Sequence, residues 1–597
     1  MTRQALGAPP TFLTALSLHQ QGRLEDAGRL YELTLASYPN HFESLHFLGL
    51  VRAGQRRLHD ALGLIRRAIE QRPDSADAIL SLGDTLAALG DRPAAMRAYK
   101  RALALDPAFA EAHNNFAAEL AALGRHDEAI AHYERALAIK PDFAEAMVNL
   151  GNVLLALNRA GDAAALFERA LRLQPGFAAA LNNLGNAFVQ MNRLHDAFAQ
   201  YEKAVAAKPD YAGAHNNLGT ILLALDRPAE AIARFETALA HAPDYAEAHN
   251  NLGNALLALN RLPEAMARYE KAAALKPGYV EALWNDALAR LAAGDFAEGW
   301  RRYETRWDHA KLGLKRRQAR QPLWQGADDL HGRTILLHAE QGFGDTLQFV
   351  RYVPLVARRG ADIVLEVQRP LVPLLQGIDG VSRVVAQGEP LPPVDCHCPL
   401  MSLPLALAAE VPTIPAACPY LAVPPEKLAK WRSVVGEDGP PCIGLAWSGS
   451  ATHRNDRNRS LPLARLRPIF DMPGVRFAAL QKEFRADDEA VLQSIDGILA
   501  PGDRLHDFAD TAALVALCDL VITVDTAIAH LAGALGKPVW ILLPFAADWR
   551  WMVEREDSPW YPTARLFRQK TIGDWDGVVA RVRAELRERF LGSSRPS

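Results

Sequence analysis

Proline recurs at a fixed interval of 34 residues over the first half of the 597-residue chain. The repeated positions are Pro39, Pro73, Pro107, Pro141, Pro175, Pro209, Pro243 and Pro277. Alanine follows the same period in a column from Ala27 to Ala265 and in a second column from Ala68 to Ala272. Because proline cannot continue a helix and small residues let two helices cross closely, each unit is predicted to be a pair of short helices that ends at the proline.

These columns resemble the tetratricopeptide repeat, a helix–turn–helix unit of 34 residues. The resemblance covers residues 8–310 and predicts eight full units and a degenerate ninth that begins near residue 280. In the ninth unit, Gly299 stands at the second-helix alanine position and Lys311 at the proline position. Such a unit is typical of the end of a helical array or of an adaptor into the next domain. The resemblance implies an all-α superhelix whose groove binds a protein or peptide.

A polar column follows the same period as the prolines. Its members are Asn115, Asn149, Asn183, Asn217, Asn251 and Asn285, with Ser81 one unit earlier. Because a side-chain amide both donates and accepts hydrogen bonds, such a ladder can hold an extended peptide backbone without reading its sequence. The column resembles the asparagine ladder in the repeats of eukaryotic O-GlcNAc transferase, a protein with a similar layout. The alternative is that these amides only solvate the groove.

Composition separates the two halves of the chain, because all eleven tryptophans lie at or after Trp284. Lys and Arg total 66 and Asp and Glu total 69, a net charge of −3 that excludes the strongly basic surface of a nucleic-acid-binding protein. No apolar run reaches the ~18 residues that a membrane helix needs. Residues 1–20 lack a signal-peptide pattern, and five cysteines in so long a chain form no disulfide framework. We therefore expect a cytoplasmic protein without a membrane span.

Beyond residue 328, short apolar runs alternate with helical stretches, which predicts α/β structure with parallel sheets. The predicted strands are residues 334–339, 361–367, 442–447, 475–480, 520–524 and 539–543. They fall into two doubly wound units, 328–425 and 430–570, followed by a closing helix at 574–590. Ligands bind at the carboxyl ends of the strands in such sheets, so two facing units predict a cleft between them. The abrupt boundary also predicts that a chain beginning near Gln318 folds and binds its ligand.

Two loops after predicted strands carry candidate chemistry. Asp345 ends a glycine-rich turn at the start of a helix, where a carboxylate can act as a general base for a hydroxyl or simply cap the helix. Ser448 and Gly449 lead into an arginine-rich segment that includes Arg457 and Arg459. Arginine binds phosphate in a bidentate manner, so this segment predicts a phosphate site, with a solvated basic loop as the alternative.

Two further segments complete the predicted site. Asp525, Thr526 and His530 stand where a strand gives way to a helix, and a helix N-terminus suits a diphosphate. The alternatives are an ordinary helix cap for the first two and a packed side chain for the histidine. Asp548, Trp549 and Arg550 suit a base or sugar ring, or else form an interdomain packing plug. The Cys–His–Cys triplet at 396–398 has no second pair at zinc spacing, so no metal site is predicted.

Taken together, these motifs resemble the heptosyltransferase-related glycosyltransferases of family nine. The motifs are the Gly-Asp pair at 344–345, the Arg-Ser-Leu-Pro segment at 459–462, the segment at 525–531 and the Gly-Lys-Pro at 536–538. The resemblance implies a GT-B fold of two Rossmann-like domains, the first for the acceptor and the second for the nucleotide sugar. It implies inversion without a metal, Asp345 as the base, Arg459 on the donor phosphate, and Asp525, Thr526 and His530 in the donor-binding turn. The Leu-Pro-Phe at 543–545 departs from the family pattern, so the donor need not be ADP-heptose.

The sequence therefore predicts an inverting glycosyltransferase that uses a nucleotide-diphosphate sugar and no cofactor. Its acceptor is predicted to be a protein recruited by the repeats. A saccharide or lipid-linked acceptor is one alternative, and a scaffold with an inactive transferase half is another.

Overall fold

The computed structural model describes residues 9–436, 439–451 and 455–591. The chain forms two compact units, one that ends at Ile221 and one that begins at Leu222, so the boundary falls inside a helix. The prediction of paired helices followed by parallel sheets is confirmed.

The paired helices occupy the described chain up to Tyr303. They are α1 Pro10–Gln20, α2 Leu24–Ser37, α3 Phe42–Gly54, α4 Leu58–Gln71, α5 Ala76–Ala88, α6 Arg92–Leu105, α7 Ala110–Ala122, α8 His126–Ile139, α9 Ala144–Ala156, α10 Ala160–Leu173, α11 Ala178–Gln190, α12 Leu194–Ala207, α13 Ala212–Ala224, α14 Pro228–His241, α15 Ala246–Ala258, α16 Leu262–Leu275, α17 Val280–Ala293 and α18 Phe296–Tyr303. The ninth pair is unusual because α18 has only 8 residues and runs into a 3-10 turn at Glu304–Trp307.

Glycine in the first helix of a pair lets an aromatic ring of the second helix approach the backbone. A Cβ atom on Gly253 would lie 2.5 Å from the ring of Tyr269, and one on Gly83 would lie 2.4 Å from the ring of Tyr99. The two tyrosine hydroxyls then donate to Asn254 at 2.9 Å and to Asp84 at 2.8 Å. The repeated small column is therefore a packing requirement within each pair.

The rest of the chain contains two parallel sheets. Its helices and strands are β1 Thr334–His338, α19 Phe343–Phe349, α20 Val353–Ala357, β2 Asp362–Val367, α21 Val372–Leu375, β3 Val381–Ala386, β4 Cys396–Pro399, α22 Leu403–Ala406, α23 Pro425–Val435, β5 Cys442–Ala446, α24 Asp456–Arg459, α25 Arg467–Phe470, β6 Arg476–Ala479, α26 Ala486–Gln493, α27 Phe508–Ala516, β7 Leu520–Val524, α28 Ala527–Ala534, β8 Val539–Leu543, β9 Ala564–Arg568 and α29 Trp575–Leu591. The strand orders are β3-β2-β1-β4 and β6-β5-β7-β8-β9, and the paired neighbours are parallel.

The last helix pair belongs to the core of the second compact unit. Trp300 is buried and meets the ring of Phe349 at 5.8 Å and the ring of Trp549 at 5.2 Å, both edge-on. Phe296 lies 5.9 Å from the ring of Trp560. These contacts argue against the prediction that a chain beginning near Gln318 folds by itself, because such a chain would lack the aromatic side chains that fill this core.

The final helix, α29, packs on the second sheet. Val578, Val582 and Leu586 are buried in one apolar cluster with Trp540 of β8 and Phe567 of β9. The helix also contacts α25 and the turn at Leu463–Leu466. The predicted closing helix therefore belongs to the core of the second sheet.

Candidate functional site

A cleft of about 770 Å³ lies at the carboxyl ends of strands from both sheets. Its walls come from the segments that follow β1, β2, β5, β6, β7 and β8, as expected for parallel sheets. Nine of the residues predicted from sequence line it: Asp345, Ser448, Gly449, Arg459, Asp525, Thr526, His530, Asp548 and Arg550. Arg457 and Trp549 are absent from its lining.

Asp345 lies on the first-sheet wall of the cleft and is fixed there by two contacts. One carboxylate oxygen accepts a hydrogen bond from the Gly342 N–H at 2.9 Å, which caps α19. The other oxygen pairs with the guanidinium of Arg550. About 20% of the side chain is exposed, so the residue caps the helix and also faces the cleft. Both sequence interpretations of Asp345 are therefore compatible with its position.

Arg550 holds the two walls of the cleft together. Besides Asp345, it donates to Asp548 at 2.8 Å and to the side-chain oxygen of Gln348 at 2.7 Å. Its guanidinium lies 4.4 Å from the ring of Trp549. Because α19 follows the first sheet and residues 548–550 follow the second, this buried cation fixes the distance between them.

Arg459 is a half-buried cation with unused donors. Its Nη1 atom donates to the backbone oxygen of Asp525 at 3.0 Å, and its buried Nε–H has no acceptor among the described residues. No carboxylate of the described chain forms an ion pair with it. Gly449 makes room for this side chain, because a Cβ atom there would lie 2.6 Å from Nη2. Since a guanidinium carries five N–H donors, Arg459 can bind an anion that enters the cleft.

The Ser448–Gly449 turn is held from inside the protein. The Ser448 N–H donates to Gln481 at 3.4 Å, and the Gly449 N–H donates to the hydroxyl of Ser460 at 3.0 Å. These two amides are therefore engaged, and the turn offers a ligand its outer surface rather than free amides. Residues 452–454 of the arginine-rich segment lie outside the described part of the chain.

Arg457 and Trp549 do not occupy the predicted positions. Arg457 forms an ion pair with Asp226, and 69% of its side chain is exposed. Trp549 is buried between the rings of Trp300 and Trp560, edge-on to both. The packing interpretation of this tryptophan is thus the one that its contacts support, whereas its neighbours Asp548 and Arg550 line the cleft.

The turn before α28 carries an acid with an unusual environment. Thr526 caps the helix by accepting the Ile528 N–H at 3.2 Å. Burial, together with the negative charge of Asp548, raises the pKa of Asp525 to about 6. A carboxyl group with this pKa exchanges a proton near neutral pH, so it can hold a proton within the cleft.

His530 of α28 is held by residues that follow β8, and its ring faces the Asp345 loop. Its Nδ1 lies 2.9 Å from the Tyr561 hydroxyl, and its ring stacks on Trp551. Burial and the positive charge of Arg550 hold its pKa well below the ordinary value, so the ring is neutral at pH 7. A Cβ atom on Gly344 would lie 2.9 Å from this ring. Glycine beside Asp345 is therefore needed for α19 to approach α28.

Glu340 lies behind the Asp345 loop and is buried there. Its carboxylate accepts from Arg306 at 3.2 Å and from the Met401 N–H at 3.3 Å. Burial raises the pKa of Glu340 to about 7, although the charge of Arg306 opposes this shift. The residue after Glu340 also contacts the last helix pair: the Gln341 amide donates to the Tyr303 hydroxyl at 3.2 Å. The end of the last helix pair thus supports the loop that presents Asp345.

Other lining residues were missed by the sequence prediction. Gln481, Lys482 and Glu483 follow β6, so the carboxyl-end rule applied to that predicted strand would have found them. His506 and Phe508 stand at the start of α27, a position with no preceding strand to mark it. The Phe508 ring lies 4.9 Å from the Phe343 ring at the edge of the first-sheet wall.

Within the described ranges, no group of three or more His, Cys, Asp or Glu side chains could hold a metal ion. The triplet at 396–398 belongs to β4 and is buried. The search of the same ranges found no helix with the length and hydropathy of a membrane span.

Amides of the asparagine ladder bond to polar side chains one repeat away. Five such hydrogen bonds are Asn115 to Asp84 at 2.8 Å, Asn149 to Asn114 at 3.1 Å, Asn183 to Asn152 at 2.7 Å, Asn217 to Asn182 at 2.9 Å and Asn285 to Asn250 at 3.0 Å. Each of these amides is half-buried, as is that of Asn251. The ladder therefore ties neighbouring repeats together, a role that sequence analysis did not consider.

Models of known protein families match segments in both halves of the chain. Models of the tetratricopeptide repeat match residues 8–32, 83–121, 117–158, 148–212, 182–233, 216–280 and 251–304. The chain carries tetratricopeptide repeats. The model of glycosyltransferase family 9 (heptosyltransferase) matches residues 490–542, which include the turn at Asp525 and His530. The α/β half thus contains a segment similar to a glycosyltransferase.

Protein FlbA of Caulobacter vibrioides is 30% identical over 308 residues. The match covers 48% of this chain and 51% of FlbA, so the chain spans about half the length of this curated relative. Among solved structures, the APC/C hetero-tetramer Cut9-Hcn1 is 18% identical with a TM-score of 0.40, over 47% of this chain and 55% of that one. YrrB, a TPR protein with an unusual peptide-binding site, is 24% identical with a TM-score of 0.27, over 32% of this chain and 97% of that one.

Proposed function

We propose that the cleft is the active site of an inverting, heptosyltransferase-like glycosyltransferase of the GT-B type. One observation carries this proposal. Asp345 lies on one wall of a cleft formed by the carboxyl ends of two parallel sheets, and Arg459, whose Nε–H has no acceptor among the described residues, lies on the other wall. The match to glycosyltransferase family 9 over the second wall supports it.

In this proposal the donor is a nucleotide-diphosphate sugar. Arg459 and the N-terminus of α28 bind the diphosphate, because a guanidinium and a helix N-terminus both favour negative charge. Asp525 accepts from a hydroxyl of the donor or, when protonated, donates to an oxygen of the diphosphate. The neutral His530 ring forms part of the wall that carries Asp525 and Arg459. The reaction requires no metal, because Arg459 offsets the charge that develops on the departing diphosphate.

Asp345 is the proposed general base. The acceptor hydroxyl loses its proton to Asp345 as its oxygen attacks the anomeric carbon, and the bond from that carbon to the diphosphate oxygen breaks. Attack from the face opposite the leaving group inverts the anomeric configuration. The contacts with Gly342 and Arg550 hold the carboxylate in place for this step.

We propose a protein acceptor in the cytoplasm. Tetratricopeptide repeats suggest protein–protein interaction, and the ninth helix pair contacts the Asp345 loop directly. A protein bound by the last repeats would thereby be held close to the cleft, which raises its effective concentration there.

Loss of the Arg459 side chain tests the donor site. We expect Arg459→Ala to weaken binding of the preferred nucleoside diphosphate by about ten- to hundredfold, since hydrogen bonds to charged groups contribute about 1.5–3 kcal/mol. Titration calorimetry with ADP, GDP, UDP and CDP provides the measurement. Arg465→Ala is the matched control, because Arg465 pairs with Asp576 at 3.0 Å and is absent from the cleft lining. Equal affinity in the wild type and Arg459→Ala would contradict the proposed diphosphate site.

A further inference from the structure

One position in the repeats has a left-handed backbone in successive units. It lies in the turn between the two helices of each pair, at Gly22, Arg56, Gly90, Gly124, Asn158, Asn192, Asp226, Asn260 and Gly294. Glycine adopts this conformation readily, and asparagine and aspartate are enriched in it, whereas arginine adopts it less often. Among these nine residues, Asp226 is the one that carries a carboxylate.

The last three of these turns contact the loops of the cleft. Asp226 forms an ion pair with Arg457, and the Asn260 amide donates to the backbone oxygen of Phe545 at 2.9 Å. Gly294 lies against Met552, because a Cβ atom on this glycine would lie 2.9 Å from the methionine methyl group. Three consecutive repeats therefore contact two loops through the same turn position, and these residues form what we call the turn row: Asp226, Asn260 and Gly294.

The first of the two loops carries Arg459. Arg457 and Arg459 belong to the single-turn helix α24, and successive residues of a helix differ by about 100° in direction. Because Arg457 and Arg459 are two residues apart, their side chains leave the helix on nearly opposite sides. Arg457 faces the repeats, and Arg459 faces the cleft. On the inner side, Asp456 accepts from the Ser460 hydroxyl at 2.6 Å and pairs with Arg485 at 2.5 Å. The turn is thus fixed from the protein interior by Asp456 and from the repeats by Asp226.

The second loop carries Asp548 and Arg550. It follows β8, and the turn row touches it on both sides of Arg550, at Phe545 and at Met552. Arg550 in turn holds Asp345. Contacts with the repeats therefore lead to the proposed diphosphate ligand through one loop and to the proposed base through the other.

We propose that the turn row positions both cleft loops, so that repeats seven to nine set the affinity of the cleft for a nucleoside diphosphate. The proposal rests on the proposed function for its ligand. Asp226 and Asn260 of the repeats and Arg457 of the first loop act as positioning residues, since none of them lines the cleft. A protein that binds these repeats and shifts their turns would alter donor binding without touching the donor.

An exchange of charges tests the ion pair. We expect Asp226→Arg and Arg457→Asp each to weaken binding of the tightest of ADP, GDP, UDP and CDP by about two- to fivefold, because exposed pairs contribute little individually. The double variant, which restores the pair in the opposite order, should recover wild-type affinity. Asn260→Gly keeps the backbone conformation but removes the amide, and should weaken binding by about two- to tenfold. Asn192→Gly, which makes the same change at the same turn position in an earlier repeat, is the matched control.

Hydrogen exchange of the unliganded full chain gives a readout that does not depend on the ligand. The single variants should exchange faster at residues 455–460 or 544–552, with melting temperatures unchanged. Wild-type exchange and wild-type affinity in the single variants would overturn the proposal, as would a double variant that fails to recover. If no nucleoside diphosphate binds the wild type, the proposed function fails, whereas faster loop exchange in the variants would still support positioning by the turn row.

Discussion

Replacing Asp345 with Asn is expected to lower turnover of the preferred nucleotide sugar by about 10²–10⁴-fold, the usual contribution of a general base. Asparagine cannot take up the hydroxyl proton, but its side-chain oxygen can still accept the Gly342 N–H that caps α19. Arg550 keeps Asp548 and Gln348 as partners. Because the proposed diphosphate site lies on the other wall, nucleoside diphosphate affinity should stay within about a factor of two.

A second carboxylate provides the control for this variant. Asp548→Asn removes the same charge from Arg550 but leaves the proposed base intact, so its loss of turnover should be much smaller. Turnover and affinity are measured for both variants, together with thermal melting to establish that they fold. Near-normal turnover in Asp345→Asn would leave the residue as a helix cap. A similar loss in both variants would instead indicate that Arg550 needs its full set of negative partners.

Replacing Arg306 with Met is expected to destabilise the second compact unit by about 3–5 kcal/mol at pH 8, the typical cost of leaving buried charges unpaired. Arg306 is fully buried and donates to Glu304 at 2.5 Å, to Ser402 at 2.6 Å and to Glu340 at 3.2 Å. Arg316→Met is the control, because Arg316 and its partner Asp308 are both largely exposed. All tryptophans lie in the second compact unit, so the denaturant dependence of tryptophan fluorescence follows the unfolding of that unit.

The loss should depend on pH through Glu340. The folded pKa of about 7 exceeds the ordinary value of 4.5, so the protonated carboxyl group favours folding at low pH. This contribution is lost as pH rises from about 4.5 through 7. Without Arg306 the ionised carboxylate is costlier still, so Arg306→Met should be closer to wild type at pH 5 than at pH 8. Adding Glu340→Gln should recover part of the stability at pH 8. An equal loss at both pH values would contradict this explanation.

The repeat period and the buried strands could be predicted from sequence because each depends on local pattern. The 34-residue columns mark where helices cross, and runs of five residues that are apolar except for Thr523 give β7 and β8 their predicted bounds. Three strands escaped prediction. In β3 and β9, arginine interrupts the apolar pattern, and β4 has only four residues, one of them a histidine. Their strand conformation depends on neighbours that the chain brings from elsewhere.

The place of the candidate site was predicted from the rule that ligands bind at the carboxyl ends of parallel strands. The errors of the prediction follow from what that rule leaves undetermined. The carboxyl-end rule places side chains near the cleft but does not determine which way each one faces. Arg457 faces Asp226 because α24 is helical, and Trp549 turns away from the cleft because Trp300 and Trp560 offer a tighter apolar contact. The support of the Asp345 loop by Tyr303 and Arg306 depends on contacts between distant segments, which no local motif records.

The central claim is that the cleft breaks the bond between a sugar and a nucleoside diphosphate. The direct measurement is the release of nucleoside diphosphate when the full chain is incubated with ADP-, GDP-, UDP- and CDP-linked sugars. We expect release from one of these donor classes, a strong reduction in both Asp345→Asn and Arg459→Ala, and inverted anomeric configuration in the product. Absence of release from every donor, or equal release by the wild type and both variants, would contradict it.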